Sequence, residues 1–184
     1  GVQTCALPIF SDPDLSGSGG QGGVDEANLL ALGEVDVYGV STVIAEVNLA
    51  RTGSPAPTAT QSTSNAGYPA SLAINGSLAD FTHTLGTDSN PSWTLNLGRS
   101  ALIRSVTLHN RDSCCGSRLR DITVQILDAT TNVVFSSPLL NPENAGYAYP
   151  NGPDNLVVDL STNAVAGKFI RVVRTPDPDL SGTQ

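Results

Sequence analysis

The chain has 184 residues, of which 39% are hydrophobic and 14% charged; this suits one globular domain and excludes a disordered polymer. Its formal net charge of −8 argues against a nucleic-acid-binding or anionic-membrane-binding surface, because both need a basic face. The 18 glycines and 12 prolines, spaced between short aliphatic runs, indicate many turns and short strands.

Residues 1–9 resemble a translated sequencing-adapter scar rather than a signal peptide, because they lack a charged start and a long apolar core. We therefore expect this segment to lie outside the fold. Setting it aside also sets aside Cys5, which leaves Cys114 and Cys115 as the cysteines of the domain.

A hexapeptide at Asp12–Gly17 recurs 165 positions later, at Asp177–Gly182. A repeat of this length corresponds to a whole domain, so we expect a fragment of a tandem array. Residues 10–39 are then the C-terminal tail of one copy, 40–47 a linker, and 48–184 the next copy, truncated at its C-terminus.

The leading tail ends in the strand-like segment 33–39. If the two ends of the domain lie close together, this segment can complete the fold as in a circular permutant. The alternative is a tail that packs loosely or stays outside the domain.

Alternating apolar and polar positions predict half-buried antiparallel strands. The alternating sets are Trp93/Leu95/Leu97, Ile122/Val124/Ile126 and Leu156/Val158/Leu160. Further β-rich runs cover 101–110, 132–136 and 168–174, whereas 25–32 could form one or two helical turns. The sequence shows no long amphipathic helix, so the pattern predicts an all-β fold of the β-sandwich or jelly-roll type.

The loop that follows the predicted strand 101–110 concentrates positive charge. Five of the nine Lys and Arg residues lie between Arg99 and Arg120, and all five are arginines. Two of them, Arg111 and Arg118, flank the adjacent cysteines. Because arginine presents a fixed fork of donors that suits hydroxyl or carboxylate oxygens, this loop is a candidate pocket for a small ligand.

Adjacent cysteines are an uncommon disulfide pair, since neighbouring Cα atoms are about 3.8 Å apart, below the usual range of roughly 4.4–6.8 Å. A bond between Cys114 and Cys115 would form a stiff apolar ring, suited to the apolar face of a sugar, and would indicate an oxidising compartment. The alternatives are two buried thiols, or a zinc site with His83 or His109. Adjacent cysteines lack the usual two-residue gap of structural zinc sites.

Seven short motifs follow one another along the chain: Asn48–Arg51, Thr60–Thr63, Ala73–Gly76, Phe81–Thr84, Trp93–Gly98, Ser105–Arg111 and Cys114–Leu119. In this order they resemble the F-type lectins (fucolectins), which belong to the discoidin or coagulation factor C-domain superfamily. The resemblance covers nearly all of 48–174, and 33–39 resembles the closing strand of that family. It implies a jelly-roll β-sandwich of the galactose-binding-like type.

The resemblance further implies that the domain binds terminal L-fucose. His83, Arg111 and Arg118 would hydrogen-bond the axial hydroxyl and neighbouring oxygens, above a platform made by a Cys114–Cys115 disulfide.

Two departures from the family pattern are present. The interval from His83 to Arg111 is one residue longer than usual, and Ser113 stands at a position that is usually acidic, with Asp112 one place earlier. The spacing of the two arginines is kept.

A Ca²⁺ site is implied in the same way. Its ligands would be the carbonyls of Leu72, Ser77 and Gly33 and the side chains of Asn75, Asp80 and Glu34. Asn75 stands where the family commonly has an aspartate, which removes one negative charge. The site also needs the leading tail to close the fold, since Gly33 and Glu34 belong to it. The alternative is an Asx-rich surface turn without an ion.

These features favour a calcium-dependent carbohydrate-binding module, secreted or on the cell surface, for fucosylated or related glycans. Adjacent copies of the domain in the parent chain would add avidity. The alternative is a structural or adhesive discoidin-type repeat that binds another glycan or a protein. An enzyme is not expected, because the sequence has no nucleophile elbow and no phosphate-binding loop.

Overall fold

The computed structural model describes residues 29–40, 46–112, 114–148 and 151–175. The predicted scar at 1–9, residues 10–28 of the predicted tail, both copies of the repeated hexapeptide and Ser113 lie outside the described residues. Within these ranges no helix has the length and hydrophobicity needed to span a bilayer.

The described part of the chain consists of ten β-strands and three short 3-10 helices. The strands are β1 (Ala31–Leu32), β2 (Glu34–Val40), β3 (Glu46–Asn48), β4 (Thr58–Gln61), β5 (Thr82–His83), β6 (Ser92–His109), β7 (Ile122–Leu127), β8 (Val133–Ser136), β9 (Asn155–Asp159) and β10 (Val165–Arg174). The 3-10 helices are Ala70–Ile74, Gly116–Arg118 and Pro142–Asn144. The predicted all-β class is confirmed.

β6 is one strand of 18 residues, where the sequence predicted two. β10 pairs with both halves of β6, and the register shifts where β6 residues 97–100 lie opposite the single β10 residue between Gly167 and Phe169. Such an irregularity places extra residues in one strand without ending the ladder.

The two halves of β6 belong to the two layers of the sandwich. Its first half lies between β4 and β10, and the layer continues through β7 to β8. Its second half lies between β2 and β9, with β3 beyond β2. All these pairings are antiparallel, as expected for a jelly roll.

The core lies between these layers, and buried side chains alternate with partly exposed ones along the first half of β6 and along β7, as the sequence predicted. The largest apolar side chains that are less than 2% exposed are Trp93, Leu30, Leu32, Leu49, Leu95, Ile103, Leu108, Leu119, Ile122, Ile126 and Leu127. The indole Nε1 of Trp93 donates to the carbonyl of Ala70 at 2.9 Å, so the buried ring has its polar atom satisfied.

Residues 29–40 of the leading segment are part of the sandwich. β2 pairs with β6 in the register Val35↔Leu108 and Val37↔Val106, and the side chains of Val35 and Val37 are fully buried. The segment 33–39, which was predicted to be strand-like, therefore contributes a strand that pairs with β6.

The segments on either side of β2 differ from expectation. Ala31–Leu32, in the stretch predicted as helical turns, is a strand because its backbone pairs with Thr82–His83. The predicted linker 40–47 has strand residues at both ends: Val40 closes β2, and Glu46 opens β3, which pairs back onto it.

Candidate functional site

The segment Arg111–Arg118, called here the arginine–cysteine loop, follows the end of β6. Asn110, the residue before it, holds this loop in place. The Nδ2 of Asn110 donates to the carbonyls of Gly116 and Pro153, both at 2.8 Å. Its Oδ1 accepts the backbone N–H of Arg111 at 2.9 Å. Asn110 therefore ties the loop to the facing segment 151–155. No local pattern predicts this role, because the carbonyl of Pro153 lies 43 residues away along the chain.

The predicted disulfide is present: Cys114 and Cys115 are bonded to each other, with Cα atoms 3.8 Å apart. The thiol and zinc alternatives therefore do not apply. Cys115 is 5% exposed and has a φ of 64°, a left-handed conformation that is uncommon outside glycine. Cys114 is exposed, so the ring presents this residue to solvent.

Arg118 lies on the other side of the disulfide, at the end of the 3-10 helix Gly116–Arg118. Its backbone N–H donates to the carbonyl of Cys115 at 3.0 Å. The next residue, Leu119, is fully buried in the core. The loop is thus anchored at one end by Asn110 and at the other by Leu119, with the two arginines between.

His83 lies in β5 and is half-buried. Its Nδ1 is 2.5 Å from the carbonyl of Thr84; because a carbonyl oxygen can only accept, this nitrogen is the donor, which makes Nε2 an acceptor in the neutral ring. Burial lowers the pKa of His83, and the nearby charges of Arg118 and Arg111 lower it further, against the opposing effect of the Thr84 hydrogen bond. His83 therefore adds a hydrogen-bond acceptor to the site, beside the donors of the two arginines.

The aromatic pair Phe81 and Tyr68 supports Arg111, a role that was not predicted from the sequence. The guanidinium carbon of Arg111 lies 3.7 Å from the centroid of the Phe81 ring, within cation–π distance. Phe81 stacks on Tyr68 with centroids 4.7 Å apart, and the His83 ring lies 5.7 Å from Tyr68. Phe81 is two residues before His83, and this spacing places side chains on one face of an extended segment, so their proximity was visible in the sequence. Nothing local pointed to Tyr68.

A cavity of about 620 Å³ adjoins this cluster, a volume typical of small-ligand sites. Arg111, Cys114 and Cys115 line one side, and Asn151 and Asp154 lie in the facing segment. His83 and Arg118 do not line it. The predicted sugar-binding residues therefore form two adjoining groups, the cavity wall and the histidine–aromatic cluster, and Arg111 belongs to both.

The predicted calcium ligands come from two places that the fold brings together. Glu34 is fully buried, and its Oε2 lies 3.4 Å from the backbone nitrogen of Gly76, so the start of β2 contacts the loop 72–80. Gly33 donates its backbone N–H to the carbonyl of His109 at 3.0 Å. A Cβ on Gly33 would be 2.5 Å from the carbonyl oxygen of Asn110, so this close approach requires glycine.

The loop 72–80 contains an Asx turn at Asn75. The Oδ1 of Asn75 accepts the backbone N–H of Ser77 at 2.7 Å, and its Nδ2 donates to Asp80 Oδ2 at 2.9 Å. Leu72 lies in the preceding 3-10 helix. The other carboxylate oxygen of Asp80 is buried and has no hydrogen-bond partner within the described ranges. An unsatisfied buried carboxylate oxygen suits a cation ligand.

Arg51 already supplies a positive charge at this position. It pairs with Glu34 at 3.2 Å and with Asp36 at 3.0 Å, and Asp36 also lies 3.1 Å from the Nε2 of His109. Burial raises the pKa of Glu34, against the lowering effect of Arg51.

No cluster of three or more His, Cys, Asp or Glu side chains that could hold a metal occurs in the described ranges. The predicted calcium set contains two carboxylates, the remaining ligands being carbonyls and an amide. Calcium takes such neutral oxygens readily, so the donor chemistry of this set fits the ion.

Comparison with known proteins gives a family match over residues 72–172, more than half of the chain, to the F5/F8 type C class described as "NedA-like, galactose-binding domain". No protein of curated function matches the sequence significantly.

Several solved structures share the fold. A fucose binding module, SpX-3, from Streptococcus pneumoniae is 19% identical, with a TM-score of 0.53 over 70% of this chain and 87% of that one. The lectin domain of lectinolysin complexed with Lewis B antigen is 22% identical, with a TM-score of 0.54 over 74% and 88%. A fucolectin from the serum of striped bass (Morone saxatilis) is 24% identical, with a TM-score of 0.50 over 68% and 42%.

Proposed function

Because the chain belongs to the family of NedA-like, galactose-binding domains, we propose that it is a carbohydrate-binding module that recognises terminal L-fucose or a similar sugar without acting on it. The observation that carries this proposal is the position of Arg111. Its guanidinium stacks on Phe81 beside His83, and the same residue lines the cavity walled by the Cys114–Cys115 ring.

Different site residues supply the donors, the acceptor and the apolar contact for the sugar. Arg111 and Arg118 donate to ring-hydroxyl oxygens, and the Nε2 of neutral His83 accepts from a hydroxyl. The disulfide ring supports the apolar face of the pyranose. Hydrogen bonds to charged donors contribute about 1.5–3 kcal/mol each. After the cost of association, a single site of this size is expected to bind with a Kd between about 1 mM and 1 μM.

The choice of L-fucose is supported by the motif order around the two arginines and by the ligands named for the similar structures. At 24% identity or less, those structures share the fold with this chain, and their ligands guide the choice of sugar to be tested.

We further propose that Ca²⁺ binds between the loop 72–80 and the start of β2. The side chains of Glu34, Asp80 and Asn75 and the carbonyls of Leu72, Ser77 and Gly33 would hold it. The ion would supply positive charge that ties the loop to the strand. Arg51 pairs with the same Glu34 carboxylate, so calcium and Arg51 would compete for it.

A second candidate ligand, another glycan or a protein, is favoured by the division of the site. His83 and Arg118 do not line the cavity that Arg111 shares with 151–155. A ligand held mainly by that cavity would depend on Arg111 and Asp154 and not on Arg118. In either case we propose that the domain works outside the cell beside copies of itself.

Isothermal titration with L-fucose, with D-galactose beside it, tests the proposed function. We expect L-fucose to bind and Arg118→Ala to weaken binding at least tenfold. Arg104→Ala is the matched control, because Arg104 is a partly exposed β6 arginine that contacts Ser161, and it should leave the affinity unchanged. Binding that ignores Arg118→Ala would favour the second candidate. No heat for either sugar at about 20 mM, well above the expected Kd, would contradict the proposal.

Calcium is tested separately by thermal unfolding. We expect Ca²⁺ to raise the Tm, because a ligand that binds only the folded state stabilises it by mass action, and EDTA to reverse the change. Glu34→Gln should abolish the shift. An unchanged Tm at millimolar Ca²⁺ would contradict the calcium proposal and leave the sugar proposal intact.

A further inference from the structure

A second groove lies on the outer face of the layer formed by β4, β6 and β10. Its volume is about 390 Å³, within the range of small-ligand sites. Its walls include Thr60, Ser62, Ser92, Thr94, Arg171 and Val173. None of these residues belongs to the arginine–cysteine loop or to the predicted calcium site.

Strand register aligns the polar groups of the groove in a row across the layer. Thr60 pairs with Thr94, and Thr94 pairs with Arg171. Because neighbouring strands are about 4.8 Å apart, the two hydroxyls and the guanidinium lie within the span of one or two sugar units. Val173, two residues beyond Arg171, adds a partly exposed apolar wall.

The side chains of this row have no polar partner among the described residues. Arg171 forms no ion pair and no hydrogen bond with any residue that the structure describes, and the hydroxyls of Thr60 and Thr94 form no hydrogen bond there either. Arg171 nevertheless lies in the middle of β10, partly buried between the polar side chains of β6 and β7. A cation held on a strand among hydroxyls, with no carboxylate partner in the part of the chain that the structure describes, suits an anionic ligand with hydroxyls of its own.

We propose that this groove binds a hexuronic acid residue of a glycan, with the carboxylate on Arg171 and ring hydroxyls on Thr60 and Thr94. The planar guanidinium matches a carboxylate through two parallel hydrogen bonds. Threonine hydroxyls both donate and accept, so they can pair with sugar hydroxyls. The groove contains no aromatic ring among its described walls, so recognition depends on charge and hydroxyls and disfavours a neutral sugar.

The carboxylate nearest the groove in the chain is Asp88, and it is engaged elsewhere. It accepts hydrogen bonds from Ser62 Oγ at 2.5 Å and Thr63 Oγ1 at 2.7 Å, and from the backbone N–H of Asn90 at 3.0 Å. Asp88 itself does not line the groove, although Ser62, which donates to it, does. The repulsion between more distant carboxylates and an anion in the groove is screened, because the Debye length is about 8 Å at physiological ionic strength.

NMR titration with sodium D-glucuronate and sodium D-galacturonate tests the proposal, with D-glucose and inorganic sulfate as reference ligands. We expect at least one uronate to bind at millimolar concentration, with shift changes on β4, β6 and β10. Both references should bind at least tenfold more weakly. Arg171→Gln should weaken uronate binding at least tenfold, and Thr94→Val should weaken it by a smaller factor. The charge-matched control Arg104→Gln should have no effect.

Several outcomes would overturn the proposal: no uronate response, a response equal to that of glucose or sulfate, or binding that survives Arg171→Gln in a folded variant. The L-fucose affinity of Arg171→Gln keeps the two sites distinguishable. We expect it to equal that of the unmodified chain, whereas Arg118→Ala should lose fucose and retain the uronate.

Discussion

Replacing Phe81 by leucine removes the aromatic face beneath Arg111 and retains most of the buried apolar volume. The guanidinium carbon lies 3.7 Å from the ring centroid, and both side chains are only partly buried. A cation–π contact of this kind contributes about 1 kcal/mol, between the exposed and the desolvated limits. Without the ring, Arg111 must be ordered when the sugar binds, so we expect an affinity about fivefold lower.

Calorimetric titration with L-fucose measures this loss, and a double-mutant cycle assigns it to Arg111. In an Arg111→Ala background, Phe81→Leu should change the affinity less than twofold, because coupled residues are not additive. Phe169→Leu is the matched control, since its ring lies 5.3 Å from the ammonium nitrogen of Lys168 on a distant strand. Equal losses in both backgrounds would refute the view that Phe81 acts by positioning Arg111.

Three further outcomes are expected. Sugar affinity should fall as the pH is lowered through the folded-state pKa of His83, which burial holds below the ordinary histidine value of about 6.5, because protonation removes the Nε2 acceptor. The unfolded chain takes up this proton first, at the ordinary value, so the free energy of unfolding also falls as the pH drops below about 6.5. This pH dependence of affinity should disappear in His83→Gln. Reduction of the Cys114–Cys115 bond, verified by mass spectrometry, should weaken fucose binding about fivefold or more. The two released side chains must then be ordered when the sugar binds, at a cost of about 0.5–1.5 kcal/mol each. Unchanged affinity would show that the disulfide ring does not support the sugar. Gly33→Ala places a methyl group against the Asn110 carbonyl and should lower the free energy of unfolding by about 1–3 kcal/mol; urea denaturation would detect it, and a neutral result would contradict the close approach.

Sequence periodicity predicted the strands whose side chains face the core. Trp93, Leu95 and Leu97 alternate with partly exposed residues along β6 as predicted, because a half-buried strand has a period of two. Periodicity did not predict that β6 is continuous past Gly98, since continuity depends on pairing with β10 on both sides of the register shift. It also missed the strand at Ala31–Leu32, whose backbone pairs with a segment fifty residues away along the chain.

The chemical character of the loop was visible in the sequence, and its support was not. The two arginines and the adjacent cysteines stand out by composition, and the bond between the cysteines is present. Asn110, Tyr68 and the segment 151–155 act through non-local contacts. No local pattern assigns such contacts, so the division of the site into two adjoining groups became visible only in three dimensions.

The position of β2 determines where the protein can be shortened for expression. A recombinant piece limited to the family-matched interval 72–172 would lack β2 and β4, the two neighbours along one side of β6. Nearly the whole length of β6 would then expose unpaired backbone amide and carbonyl groups. Such an edge can pair with strands of other molecules and cause aggregation. Expression trials should begin at or before Leu29, whose carbonyl accepts from the buried guanidinium of Arg174 and so ties the first described residue to the last strand.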